Sequence, residues 1–292
     1  MNAETVAAES GSPTRDSPAI EKELIHRHSL MVRITHWLNF LFLALLLMSG
    51  LQIFNAHARL YWGRAGADAD RPWLEMLAVE RGANGPEGVT RIGGVGFDTT
   101  GVLGVSKAKG GALAERGFPA WATLPSWRDL ATGRRWHFFL AWCFVANGLA
   151  YLGFGLLSGH FHRDLAPRRG ELAPTNLGRS LLDHLRLKHP QGEAARRYNV
   201  LQQLAYAAVI FVLLPLMVLT GLSMSPAIDA VVPWLVPLFG GRQSARSLHF
   251  ICANLIVLFV LVHVIEVLLV GVVNEMRSMI TGRYVIRHRR AP

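Results

Sequence analysis

Cysteine is nearly absent. The 292 residues hold only Cys143 and Cys252, and both fall inside long apolar stretches. A disulfide framework needs more cysteines, placed in loops, so none is expected. Charge is scarce as well: Asp, Glu, Lys and Arg make up 17% of the chain against 51% hydrophobic residues. The glycine-rich stretch that opens "RGANGPEGVTRIGGVGFDTTG" contains no G-x-G-x-x-G phosphate loop, which favours a loop or small hairpin cap over a nucleotide site. The N-terminal "MNAETVAAESGSPTRDSPAI" has no apolar h-region of a signal peptide. Residues 1–25 are therefore expected to form a disordered cytoplasmic tail, with the first apolar run serving as the membrane-targeting element.

What the chain has in abundance is long apolar runs. A bilayer core about 30 Å thick needs roughly 20 helical residues to cross it. Four runs meet that length, over 30–54, 136–157, 200–224 and 248–273. They predict an all-α integral membrane protein built as a four-transmembrane-helix bundle. Its membrane domain is expected over 26–284, with a large external loop over 55–134 between the first and second spans. A cytoplasmic loop over 159–198 and a basic cytoplasmic tail over 285–292 complete the layout. Within the 159–198 loop, "LGRSLLDHLRL" spaces Leu177, Leu181, Leu182 and Leu185 as an amphipathic helix lying on the inner membrane surface. "AIDAVVPWLVPLFGG" is too short to cross and contains Pro233 and Pro237, so it reads as a lip at the outer surface.

A formal charge of +10 could point to nucleic acid, but its distribution points to topology instead. The 159–198 loop carries eight Lys/Arg and the chain after Asn274 carries five. The short connection between the third and fourth spans has only Arg242 and Arg246. The positive-inside rule then puts the 159–198 loop and both termini in the cytoplasm. The 55–134 segment lies outside despite ten basic residues, because long loops translocate largely regardless of charge. A nucleic-acid partner is excluded on these grounds. The implied location is a membrane crossed several times, with both termini cytoplasmic.

Twelve histidines occur, and four of them, His36, His137, His249 and His263, sit in the spans. Ionisable residues inside a membrane are costly and are functional candidates by default. His249 and His263 are fourteen residues apart, which is about 21 Å of helix and nearly a whole number of turns. They therefore occupy one helix face at opposite sides of the bilayer, His249 outer and His263 inner. On the same ruler His137 is outer and His36 inner. Small residues mark the other helices at these levels: Gly50 and Gly221 on the outer side, and Ala205, Ala207 and Ala208 on the inner. Two histidines at each level, with small residues opposite, suit two flat macrocycles with axial imidazoles held in a four-helix bundle. The pairs are His137 with His249 and His36 with His263, as ligands of two haem irons. No C-x-x-C-H occurs, so the haems are expected to be non-covalent haem b. Glycine at positions 50 and 221 is expected to make room for the rings. Arg33 on the inner side, with Arg134, Arg135 and Arg246 on the outer, are candidate propionate partners. Two other readings stay open. One is a haem-free membrane anchor with histidines serving in packing. The other is a transporter, against which stand the lack of internal repeats and of a polar midplane path.

The segments "RITHW", "RRWHFF" and "RSLHFICANLIVLFVLVHV", which carry the four histidines, resemble the bacterial di-haem cytochrome b561 type. That group includes the b-type cytochrome of nickel–iron hydrogenases and the gamma subunit of formate dehydrogenase. Through "MSGLQIFNAHARLYWG", "ATLPSWRDLATGRRWHFF" and "FGGRQSARSLHF" the chain is also similar to the thiosulfate-reductase-type cytochrome b subunit. The likeness runs from about His28 to Tyr284. It implies an electron-transfer subunit of an oxidoreductase complex rather than a stand-alone enzyme. Such a subunit anchors a catalytic partner and exchanges electrons between it and the membrane quinone pool. The resemblance further implies a quinone site beside the inner haem, for which Asn39 and Glu266 are the candidates. The 55–134 segment exceeds what a minimal four-helix member needs. It is expected to dock a periplasmic oxidoreductase, with a molybdopterin enzyme as the candidate.

Overall fold

In the computed structural model, residues 20–66, 70–80, 85–108, 111–186 and 197–289 are described. The first strand, β1 (Ile20–His26), leads into the first spanning helix, α1 (Leu30–Phe54). The 55–134 segment then forms four short strands of one meander and one further hairpin pair: β2 (Arg59–Leu60), β3 (Leu74–Glu80), β4 (Pro86–Ile92), β5 (Val95–Asp98), β6 (Gly104–Lys107) and β7 (Leu113–Arg116). Sheet order β2-β3-β4-β5 is antiparallel throughout, and β6 pairs with β7. After the cap come α2 (Leu130–Leu157), α3 (Pro174–Leu185), α4 (Val200–Ala208), α5 (Leu214–Ser223), α6 (Pro226–Val231), α7 (Leu235–Leu238), α8 (Arg242–Thr281) and β8 (Arg283–Arg289).

Among the described residues, four helical stretches are long and apolar enough to cross a membrane: α1, α2, the continuous Val200–Ser223 and α8. Local chemistry sets their ends. The Ser29 side chain accepts from Val32 N at the start of α1, and Asp129 accepts from both Thr132 N and Thr132 Oγ1 at the start of α2. Asn199 and Gln202 close a reciprocal capping box at α4. Between α4 and α5 the helix widens to a π turn over Val209–Leu213. Pro215 sits just beyond and has no N–H to continue an α ladder. α8 is much longer than the expected 248–273 span. It starts six residues earlier and runs on to Thr281 through a break at Gly271, whose φ is 128°. The second span also starts earlier than expected, at Leu130, where Asp129 caps it.

The spans associate as two pairs. α1 lies along α2, and α5 lies along α8. Asn147 on α2 donates to Thr35 O (3.0 Å) and to Asn39 Oδ1 (2.7 Å) on α1, a polar clasp inside the first pair. Many large apolar side chains on the outer faces of all four spans are exposed, as lipid-facing surfaces require.

The fold class therefore needs one correction. The helical bundle is as expected, but the chain is not all-α, and the 55–134 segment is a β cap rather than a loop. Alternation explains the sheet: Leu74 and Met76 on β3 point inward at 5% and 9% exposure, while their neighbours face out. Gly93 and Gly94, both at positive φ, make the two-residue turn between β4 and β5. A second correction concerns the termini. Residues 20–25 were expected in a disordered tail and 285–292 in a basic tail, yet β1 pairs antiparallel with β8 over seven residues from Ile20↔Arg289 to His26↔Arg283. The rest of the expected N-terminal tail lies outside the described residues. The expected surface helix forms as α3, and the expected lip forms the short helices α6 and α7.

The cap is bolted to the end of the bundle. Phe54 from α1, Leu60, Leu74 and Met76 form a buried cluster against which Trp73, Phe118 and Phe250 pack. Trp73 Nε1 donates to Ser247 Oγ (2.9 Å), which donates to Tyr61 O (2.6 Å). Asn55 exchanges two hydrogen bonds with the Phe118 backbone. Arg116, 4% exposed, donates to Ser126 O, Thr123 Oγ1 and Gln52 Oε1.

Candidate functional site

The four span histidines come together in two pairs. His137 of α2 and His249 of α8 face each other with ring centroids 6.3 Å apart and planes at 67°. His36 of α1 and His263 of α8 do the same at 6.3 Å and 61°. Each pair joins the α1–α2 half of the bundle to α8 of the other half. The fourteen-residue spacing along α8 places the two pairs at different depths.

The His137–His249 pair is held from behind by a hydroxyl–glycine dipeptide on each neighbouring helix. Ser49 Oγ lies 3.1 Å from His137 Nδ1, and Thr220 Oγ1 lies 3.0 Å from His249 Nδ1. Each hydroxyl already donates its proton to its own helix, Ser49 to Leu45 O (2.8 Å) and Thr220 to Leu216 O (2.7 Å). With its proton on the helix carbonyl, each hydroxyl oxygen is free to accept from the imidazole, which suits the tautomer with Nδ1 protonated and the Nε2 lone pair free. The glycine beside each hydroxyl lets the ring in. A Cβ on Gly50 would stand 3.3 Å from His137 Cε1, and one on Gly221 would stand 3.4 Å from His249 Cε1. Both glycines thus abut the imidazoles themselves. Close approach of helix backbone to ring is the physical reason for glycine there.

The His36–His263 pair is framed differently. His36 Nδ1 is buried with no hydrogen-bond partner among the described residues. His263 stacks on Phe259 at 6.0 Å and 12°, with Tyr206 edge-on at 6.2 Å. Trp37 stands edge-on to His36 at 5.4 Å and donates from Nε1 to Met279 O (3.1 Å), which ties α1 to the end of α8.

The remaining candidates divide. Arg33 Nη1 donates to Ile280 O, while its Nε is buried without a hydrogen-bond partner among the described residues. Arg246 donates to His57 O and lies 5.6 Å over the Phe54 ring. Arg135 is exposed two residues before His137, and Arg134 lies 5.5 Å over the Phe138 ring. Asn39 accepts from Asn147, and Glu266 Oε1 lies 3.1 Å from His184 Nε2 of α3. Asn39 and Glu266 are thus engaged on separate elements.

Beneath the inner pair the two termini close a clamp. Arg27 lies 4.3 Å over the Tyr284 ring and 5.2 Å over Tyr198, with Glu275 Oε1 at 3.8 Å. His28 stacks on Tyr198 at 6.3 Å. Burial, reinforced by the Arg27 charge, brings the His28 pKa down to about 4, and burial pushes Tyr198 up to about 12.

Ser49, Thr220 and Asn147 were not singled out from the sequence as site residues. The first two carried a readable signal, since "SGL" at 49–51 and "TGL" at 220–222 repeat one pattern at the same depth of two spans.

With this geometry in view, comparison with known proteins is decisive. Residues 27–282 match the family described as prokaryotic cytochrome b561. The chain belongs to that family. As a prokaryotic cytochrome b561 it is a membrane b-type cytochrome of electron transfer, and the family brings haem b with it. A curated protein of Azospira oryzae, carried by name as a candidate protein-methionine-sulfoxide reductase subunit, YedZ1, is 28% identical over 263 residues, covering 90% of this chain and 100% of that protein. No solved structure matches this cytochrome b561.

Proposed function

We propose that this cytochrome b561 is a di-haem membrane subunit that transfers electrons between the quinone pool and a periplasmic oxidoreductase anchored by its β cap. The observation that carries the reading is the pairing of four histidines, from three helices, at one separation. An iron bonded at about 2 Å to a nitrogen of each ring holds two imidazole centres about 6 Å apart, so both pairs fit one iron each. Among the described residues no group of three or more His, Cys, Asp or Glu could hold a metal ion. Two imidazoles per site therefore suit a metal whose other positions come from a macrocycle.

Haem b, when bound, supplies a one-electron iron couple. The protein's own residues do the rest. His137 with His249 and His36 with His263 hold the two irons and hold them at different depths. Arg246 for the outer group and Arg33 for the inner hold propionates, and the unpartnered Arg33 Nε supports the second of these. Arg135 gains no support from its exposed position. Asn39 and Glu266 are kept as quinone-site residues, and the Glu266–His184 contact offers a proton route from α3 into the span. The basic 159–198 loop and both termini face the cytoplasm of a bacterial inner membrane, which puts the cap outside. The name of the Azospira relative supports a reductase as the partner, and the thiosulfate-reductase-type resemblance favours a molybdopterin enzyme.

The test is spectroscopic. Purified protein should give a b-type reduced-minus-oxidised spectrum and two haems per chain by pyridine haemochrome. His249→Ala should keep one. A folded, haem-supplied preparation without colour would end the reading, and equal loss of both haems in a folded His249→Ala protein would end the pairing.

A further inference from the structure

The two histidine pairs differ in what stands behind their rings, and this difference has an electrochemical consequence. At the outer level each Nδ1–H has a hydroxyl to donate to, Ser49 Oγ at 3.1 Å for His137 and Thr220 Oγ1 at 3.0 Å for His249. Both hydroxyls are fully buried at 0% exposure, so water does not compete for them. Both are pinned to a carbonyl of their own helix, at 2.8 Å and 2.7 Å, so their acceptor side is fixed towards the imidazole. At the inner level His36 Nδ1 is buried with no hydrogen-bond partner among the described residues. The hydroxyl next to it in sequence, Thr35, turns back to the Met31 and Val32 carbonyls. His263 is framed by the rings of Phe259 and Tyr206.

A histidine that donates its second N–H to an acceptor becomes a more basic ligand with a fixed tautomer and orientation. A more basic ligand stabilises the oxidised iron over the reduced, and hydrogen bonding in the second layer is one of the levers that set a haem's potential. Building on the two-haem reading above, we infer that Ser49 and Thr220 are positioning residues that lower the potential of the outer centre, and that the inner centre lacks this support. The Leu46 and Met217 carbonyls also face His137 and His249. Removal of the hydroxyls therefore weakens the acceptor field without abolishing it, and the haem should stay bound.

The experiment is a redox titration of the purified full-length protein, followed at the b-haem absorption band and by electron paramagnetic resonance of the oxidised form. Wild type is compared with Ser49→Ala, Thr220→Val, and the swaps Ser49→Thr and Thr220→Ser. One of two midpoints should move to a more positive potential in Ser49→Ala and Thr220→Val, and further in the double variant. The other midpoint should stay in place, and the hydroxyl-retaining swaps should restore the first. Unmoved midpoints, or equal movement of both, in a protein that still holds two haems would overturn the inference alone. Loss of the haem in Ser49→Thr as well as in Ser49→Ala would also overturn it, because volume and not the hydroxyl would then be the cause. A wild type without haem would overturn the two-centre reading and this inference together.

Discussion

A methyl group on Gly50 or Gly221 would meet an imidazole carbon at 3.3–3.4 Å, a distance that asks the ring to yield by a few tenths of an ångström. Gly50→Ala should therefore cost little. Gly50→Val adds bulk that the ring cannot accommodate by so small a shift, and overpacking of this kind costs about 1–3 kcal/mol. The expected outcome is a haem-to-protein ratio that falls from two towards one, with the inner haem retained. His28 supports a second prediction at this scale. Its pKa is about 4 in the folded protein, against 6.5 for a free histidine. The unfolded chain then binds more protons between those values, so stability falls as pH drops from 6.5 to 4, by up to about 3 kcal/mol. Thermal melts in detergent should show a lower midpoint at pH 5 than at pH 7, and His28→Gln should flatten that dependence. An unchanged slope in His28→Gln would remove His28 as its source.

Elements differ in how much of them was legible. α1, α2 and the third and fourth spans could be read because a membrane helix needs only length and continuous apolarity, both local properties. α3 was legible from its leucine spacing. The cap was not, although β3 alternates and Gly93–Gly94 is a hairpin turn, because short strands among glycines carry a weak local signal. Its attachment was less legible still: Arg116 reaches Gln52 across 64 residues and Trp73 reaches Ser247 across 174. Arg116→Met should leave buried acceptors without a donor, at a cost of about 2–4 kcal/mol. Limited proteolysis should then cut within 55–134 in the variant under conditions where the wild-type cap survives. Haem content should change far less than cap resistance.

For the whole molecule the question is sidedness, because the proposed reductase docks on the cap. Gly94, exposed at a turn of the cap, and Arg179, exposed on α3, mark opposite ends of the chain's proposed topology. Gly94→Cys should be labelled by a membrane-impermeant thiol reagent in intact spheroplasts. Arg179→Cys should be labelled only after the membrane is opened, and the reverse pattern would invert the proposed orientation. The same scale shows how the two halves of the bundle are joined. α1–α2 and α5–α8 pack within themselves, while the histidine pairs and the β1–β8 clamp tie one half to the other.

From the amino-acid order alone came the four long apolar helices and the partners within each histidine pair. Those follow from helix pitch and bilayer thickness, which act over a turn or a span and do not depend on what packs alongside. Only the folded chain decided that the 55–134 segment is a β cap, that β1 and β8 meet as strands, and that Ser49 and Thr220 stand behind the imidazoles of His137 and His249. The Ser49–His137 contact joins residues 88 apart in the chain and Thr220–His249 joins residues 29 apart. Contacts of that kind are set by which helix faces meet, and a one-dimensional pattern carries no record of the rotation of one helix against another.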